Sequence, residues 1–101
     1  MEMTYQQEDE AVRVFLAGPI DNETAGDFRE KLHELLSLRA TEIIFDFSAV
    51  TMFTSSAIGK LILFYKHASA QGKELRVKGV NEYIFNLFQF SSLDLLFPID
   101  R

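Results

Sequence analysis

The stretch that decides the fold reads TEIIFDF at residues 41–47, SAVTMFT at 48–54 and SSAIGKLILFYKHASA at 55–70. The apolar run Ile43–Phe45 is rich in β-branched residues and bounded by polar ones, which predicts a strand buried on both faces at the centre of a sheet. Residues 48–54 are predicted to form a loop. A helical stripe follows, formed by Ile58, Leu61, Ile62 and Tyr65. This strand, loop and helix are predicted to be the first strand and the crossover helix of a parallel β-α-β unit.

Towards the N-terminus, Val12, Val14 and Leu16 alternate with other residues over Ala11–Ala17, which predicts a half-buried strand ended by Gly18-Pro19. Thr4–Glu8 is a candidate edge strand joined to it by a turn at Glu8-Asp9-Glu10. From Thr24 the apolar spacing becomes helical, and the stripe consists of Ala25, Phe28, Leu32, Leu35 and Leu36. Asp21, Asn22 or Thr24 is expected to cap this helix.

Towards the C-terminus, Leu75 and Val77 alternate with charges, so Glu74–Lys78 is predicted to be a strand. Asn81 is expected to open a short helix, and Leu96–Ile99 to add a last strand. The predicted order is β-β-α-β-α-β-α-β, an α/β fold with a sheet of four to five strands and helices packed against it. We expect residues 1–101 to form a single domain.

Composition excludes several classes of function. The chain has no cysteine and a net charge of −5, so disulfides and thiolate metal sites are excluded and binding to nucleic acid is disfavoured. The N-terminal residues lack the pattern of a secretion signal, and the longest apolar stretch, Leu61–Tyr65, is far shorter than the roughly 20 residues that span a bilayer. We therefore expect a cytoplasmic protein that binds neither membrane nor nucleic acid.

Motifs for catalysis are missing from the sequence. His33 and His67 lie in different predicted helices without metal-ligand spacing, and no phosphate-binding glycine loop occurs. Ser55 lacks the glycine-flanked turn of a hydrolase nucleophile. Asp46 ends a strand as a phospho-accepting aspartate would, but no acidic pair that could hold Mg²⁺ follows the first strand, so it is interpreted as a carboxylate that binds nearby backbone amides. We expect no enzyme activity and no cofactor.

Three consecutive hydroxyl groups, Thr54, Ser55 and Ser56, stand at the predicted start of the second helix. Unpaired N–H groups and the helix dipole favour an accepting side chain there and, equally, an added anion. From the residues alone, this segment is either a simple helix cap, made by Thr54 or Ser55, or a site of modification.

At this point the chain resembles the STAS domains, specifically the bacterial anti-sigma factor antagonists. Their signature places Asp-Ser-[Ser/Thr]-Gly-[Leu/Ile]-Gly at the start of the second helix. The resemblance extends over nearly all of the chain through Gly18-Pro19-Ile20-Asp21 before the first helix, Asp46-Phe47-Ser48 at the end of the central strand, and Gly72-Lys73-Glu74-Leu75 before the next strand. Thr54 stands where the signature has aspartate, and Ala57 where it has glycine.

The resemblance implies a STAS-like mixed sheet and a role in partner switching. The unphosphorylated domain would bind an anti-sigma factor that is a serine kinase of the histidine-kinase-like ATPase fold, phosphorylation of Ser55 would release it, and a PP2C-type phosphatase would reset the switch. Ser56 and Thr54 are the alternative acceptors. The implied partner-binding residues are Asp21, Met52, Phe53, Thr54, Ser55, Ser56 and Ile58. Ala57 is expected to place a methyl group where a partner's backbone approaches.

Two other hypotheses stay open. The chain is a STAS scaffold or subunit of a larger assembly that is never phosphorylated, or it is an enzyme or small-molecule binder. A last helix found in many members of the family is expected to be missing, with the surface beneath it exposed.

Overall fold

The computed structural model describes all 101 residues. The strands are β1 (Glu2–Glu8), β2 (Ala11–Ile20), β3 (Glu42–Phe53) and β4 (Glu74–Lys78), and the helices are α1 (Ala25–Leu35), α2 (Ser55–Ala70) and α3 (Glu82–Phe90), followed by a 3₁₀ turn at Leu93–Leu95. The strands lie in the order β1-β2-β3-β4. β1 pairs antiparallel with β2, whereas β2, β3 and β4 are parallel. The predicted mixed sheet is confirmed.

All three helices pack on one face of the sheet. Phe28 of α1, Phe64 of α2 and Phe88 of α3 contact rings of β3, which are Phe53, Phe45 and Phe47 respectively. For α1 and α2 this follows from the strand order, because β2, β3 and β4 succeed one another in one direction and right-handed crossovers then place both connecting helices on the same side.

The prediction that Ile43–Phe45 is buried on both faces is therefore wrong. Ile43 and Phe45 are buried under the helices, whereas Ile44 points to the opposite face and is only partly buried. That face also carries Arg13 and Phe15 of β2, and the Phe15 side chain is 38% exposed.

β2 and β3 continue beyond their predicted ends. β2 runs through Gly18-Pro19 to Ile20, and the predicted loop at 48–54 is mostly strand, since β3 ends only at Phe53. Two register shifts interrupt the β2–β3 pairing, one of them between Gly18 and Pro19. Proline is tolerated where the ladder is irregular because it cannot donate a hydrogen bond. The two strands thus form an extension whose tip holds Ile20 and Phe53, paired with each other.

The predicted last strand at Leu96–Ile99 is reduced to a single bridge. Leu93–Leu95 forms a 3₁₀ turn, and only Ile99 forms a parallel bridge, to Val77 of β4. The sheet therefore has four strands.

Candidate functional site

Two loops meet at the tip of the β2–β3 extension. The first, Asp21–Thr24, joins β2 to α1, and the second consists of Thr54, which joins β3 to α2. The Thr54 N–H donates to the Ile20 carbonyl at 3.2 Å, and the Thr54 hydroxyl donates to Asn22 Oδ1 at 3.4 Å. We call Asp21, Asn22, Thr24, Thr54, Ser55 and Ser56 the strand-end site. It lies at the carboxyl ends of parallel strands, where open α/β sheets bind ligands.

Asp21 organises the first loop. Its carboxylate accepts hydrogen bonds from the N–H groups of Glu23 at 3.0 Å and Thr24 at 3.1 Å, and the Thr24 hydroxyl in turn accepts from the Asp21 N–H at 2.9 Å. These bonds, above all that from the Thr24 backbone, lower the pKa of the Asp21 carboxyl below its ordinary value of 3.8. Asp21 is thus held ionised, and it fixes the loop just before α1.

The start of α2 lacks a side-chain cap. Thr54 occupies the N-cap position with extended backbone (φ −106°, ψ 171°), but its hydroxyl makes no hydrogen bond to the first turn. The interpretation of Thr54 as a helix cap is therefore wrong, because its hydroxyl bonds to Asn22 in the other loop instead. The first turn of α2 also contains no acidic residue. The positive end of the helix dipole is consequently not neutralised by a side chain of this turn.

The structure divides the predicted partner-binding residues into exposed and buried ones. Met52 is 46% exposed, Ser55 and Ser56 are exposed, and Asp21 and Thr54 are half-buried. Phe53 and Ile58 are 0% and 6% exposed, so they cannot contact a partner directly in this conformation. Both apolar side chains pack in the core beneath the site. The surface available to a partner is therefore Met52 with the strand-end site.

Ala57 also differs from expectation. Its methyl group is fully buried, because the third residue of α2 faces the sheet, so it does not stand where a partner could approach. Asn22 was predicted only as a candidate helix cap, and its hydrogen bond to Thr54 was not predicted. The two residues are 32 positions apart, so no local pattern could have revealed the contact. The expectation that Asp21, Asn22 or Thr24 caps α1 is wrong, because Thr24 at the N-cap position makes no side-chain hydrogen bond to the first turn and Asp21 bonds to N–H groups of its own loop instead.

Asp46 lies on the open face of the sheet rather than in the strand-end site. Its carboxylate accepts a hydrogen bond from the Ser48 N–H at 2.9 Å and another from the Ser48 hydroxyl. Burial opposes ionisation of Asp46, but the bonds from Ser48 and the charges of Lys78 and Arg13 outweigh it, and the pKa of this carboxyl is lowered from 3.8. Asp46 is thus a structural carboxylate. The chain has no group of three or more His, Cys, Asp or Glu placed to hold a metal ion.

The lowered pKa of Asp46 predicts a dependence of stability on pH. A carboxyl with a lowered folded-state pKa stabilises the fold above its unfolded-state pKa and loses that contribution as pH falls through the folded-state value. We expect Asp46→Asn to reduce the loss of unfolding free energy below about pH 4, by less than about 1 kcal/mol because the carboxylate is partly exposed and solvent screens its interactions. Urea denaturation at a series of pH values measures the unfolding free energy of both proteins. Asp100→Asn, at an exposed carboxyl, is the control, and identical profiles for both variants would contradict the prediction.

Comparison with known proteins places this geometry among related folds. A family profile described as "Mlab, STAS domain" matches residues 3–98. The structure is similar to that of an anti-sigma factor antagonist from Mycobacterium paratuberculosis, at 19% identity and a TM-score of 0.87, covering 98% of this chain and 84% of that one. An anti-sigma factor antagonist (STAS) domain protein from Planctomyces limnophilus matches at 15% identity and a TM-score of 0.84, covering 96% and 86%.

A third similar structure is the Bacillus cell fate determinant SpoIIAA in its phosphorylated form, at 20% identity and a TM-score of 0.74, covering 97% of this chain and 90% of that one. The TM-scores show that these proteins share the fold of this chain, and sequence identities this low show the fold alone. None of the helices in this chain combines the length and apolar character needed to traverse a bilayer.

Proposed function

Because this chain belongs to the STAS domain family, we propose that it acts as an anti-sigma factor antagonist in a cytoplasmic partner-switching pathway. In this proposal the unphosphorylated protein binds an anti-sigma factor that is a serine kinase of the histidine-kinase-like ATPase fold. The kinase transfers the terminal phosphoryl group of ATP to the Ser55 hydroxyl, and the complex dissociates. A PP2C-type phosphatase removes the phosphate, and the chain itself catalyses no reaction.

The exposure of Ser55 at the start of α2 is the observation that carries this proposal. Its hydroxyl is accessible to a kinase, and the uncapped first turn favours an added anion. Met52, also exposed, supplies an apolar contact close to Ser55 in the chain. A phosphate of about −1.5 to −2 charges in such an interface would have to lose its hydration, which opposes binding.

A second candidate function is a STAS subunit of a larger assembly that is never phosphorylated. It is favoured by Thr54, which leaves no carboxylate next to Ser55 and whose hydroxyl is bonded to Asn22. The description of the matching family profile also names Mlab and no antagonist. Both candidates use the same exposed surface for a protein partner, and they differ in whether Ser55 carries a phosphate.

Phosphopeptide mass spectrometry of the protein isolated from its own cells separates the two candidates. The antagonist requires phosphate on the peptide that contains Ser55, and its loss in Ser55→Ala. It also requires that the unphosphorylated protein capture an ATP-binding kinase from lysate. A stable complex without a kinase, together with an unmodified Ser55 peptide under all growth conditions, would support the assembly subunit and exclude the antagonist.

Position 54 provides a kinetic test of the antagonist. If a carboxylate next to the acceptor serine presents its hydroxyl to the kinase, Thr54→Asp should speed phosphorylation of Ser55. The phosphorylated variant should also be less stable than phosphorylated wild type, because two such charges about 5 Å apart at an effective dielectric near 20 repel by roughly 3 kcal/mol or more before salt screening. Time courses with kinase and ATP, followed by thermal denaturation of each phosphoform, measure both effects.

Thr54→Asn is the matched control, since it has nearly the shape of aspartate without its charge. The control should be phosphorylated at the wild-type rate. An unchanged rate in Thr54→Asp would refute the presenting role and leave Thr54 as a residue that only ties the two loops together.

A further inference from the structure

A groove runs between α1 and α2 on the surface of the helical layer. Its volume is about 350 Å³, and its floor is formed by core side chains of both helices. Leu36 and Leu63 add apolar surface to its walls, and Leu63 is 41% exposed. A volume of this size is within the range of small-molecule sites, roughly 300 to 1,000 Å³.

The rim of the groove is basic, although the chain as a whole has a net charge of −5. Arg29 and His33 of α1 face Lys60 and His67 of α2, and Glu30 is the one acidic residue in the lining. The ion pairs of the structure join other residues, Arg13 with Glu8 and Lys31 with Asp27. Arg29 and Lys60 therefore form no ion pair in the structure, and together with Glu30 they give the lining one net positive charge from these three side chains.

The direction of the helices brings these two cations to the same end of the groove. α1 and α2 run alike because each follows a strand of the parallel part of the sheet. Arg29 is four residues after the start of α1 and Lys60 is five after the start of α2, whereas Leu36 lies near the C-terminal end of α1. The groove thus has a cationic end and an apolar wall extending about 10 Å from it, the rise of seven helical residues.

We propose that this groove binds a small amphiphilic anion, a carboxylate with an unbranched alkyl chain. The carboxylate lies between Arg29 and Lys60, and the alkyl chain extends along Leu63 towards Leu36. Charge complementarity selects the carboxylate head group, and removal of apolar surface from water stabilises the bound alkyl chain. This site is separate from the strand-end site and does not depend on the function of Ser55.

Three probes that share a ten-carbon chain test the proposal on the full-length protein. They are decanoate, decanol and decyltrimethylammonium, each kept below its micelle concentration and titrated into isotopically labelled protein with NMR detection. We expect decanoate to shift the amide signals of α1 and α2 around the groove and to bind at least about fivefold more tightly than the other two, since only it can pair with both cations.

Surface residues provide variants with matched controls. Lys60→Gln should weaken decanoate binding about three- to fivefold, whereas Lys66→Gln, which removes the same charge outside the groove, should not. Leu63→Ala should weaken it about five- to tenfold, whereas Leu95→Ala, at a leucine that is 81% exposed elsewhere, should leave it unchanged. Thermal denaturation checks that all four variants are folded.

Three results would overturn the proposal: equal affinity for the three probes, signal changes centred on the exposed Phe90 and Leu95 instead of the groove, or equal losses in a variant and its control. The proposal is supported if decanoate binds more tightly than the other two probes, and if Lys60→Gln and Leu63→Ala weaken its binding whereas their controls do not.

Discussion

Ser55→Asp is expected to weaken binding of the partner kinase by about 2 to 5 kcal/mol, the range for an unpaired charge forced into an interface. Ser55→Ala is expected to bind almost as well as wild type, because a hydroxyl that is exposed in the free protein loses little when it is removed. The reason is electrostatic, since an aspartate at this position mimics part of the charge of a phosphate and must be desolvated on binding. Isothermal calorimetry with purified kinase measures all three affinities.

Ser69→Asp is the matched control, because it adds the same charge at an exposed position near the other end of α2. It should bind like wild type. Ser55→Asp should also retain the thermal stability of wild type, since a negative charge in the first turn of a helix is favourable. Equal affinity of Ser55→Asp and Ser69→Asp would place Ser55 outside the interface and remove the main support for the antagonist.

Phe53→Ala is expected to lower the free energy of unfolding by about 3 to 5 kcal/mol, a large part of the roughly 5 to 15 kcal/mol of a typical domain. The Phe53 side chain is fully buried, and its ring centroid lies 5.7 Å from that of Phe28, 5.4 Å from Phe47 and 5.3 Å from Phe88. Its removal would leave a cavity between α1, α3 and the sheet, directly beneath Thr54. Urea denaturation measures the change.

The control for this prediction is Phe90→Ala, at a phenylalanine that is 91% exposed at the end of α3. It should change the unfolding free energy by less than about 0.5 kcal/mol. A loss below about 1.5 kcal/mol in Phe53→Ala would mean that the neighbouring rings close over the cavity, and that the position of the Thr54 loop does not depend on this cluster.

The helices and β4 were predictable because their apolar spacing is regular. Glu74–Lys78 alternates strictly and is observed with the predicted bounds. β3 was cut short in the prediction because its second half buries every third residue, Phe47, Val50 and Phe53, instead of every second one. The register shifts against β2 cause this spacing, and a sequence pattern with a period of two cannot represent it.

The exposure of individual site residues was beyond sequence reasoning. Met52 and Phe53 are adjacent apolar residues, yet one is 46% exposed and the other fully buried, because they point to opposite sides of an irregular strand end. The position of the site itself was predictable, since parallel strands bring their carboxyl ends to one edge. The hydrogen bond between Thr54 and Asn22 connects the two loops. It is a tertiary contact, so the local sequence carries no signal of it.

The agreement between sheet order and chain order bears on how the polypeptide reaches its native state. A two-residue turn joins β1 to β2, and the paired residues Ala11 with Glu42 and Glu42 with Glu74 are each about 30 positions apart. Closing such loops costs only slightly more chain entropy than closing shorter ones, because the cost grows slowly with loop length. The β2–β3 pair needs nothing from α3 or the C-terminal residues for its own hydrogen bonds. We therefore expect the pairing of β2 with β3 to precede the packing of α3, whose Phe88 ring then completes the core beneath Thr54.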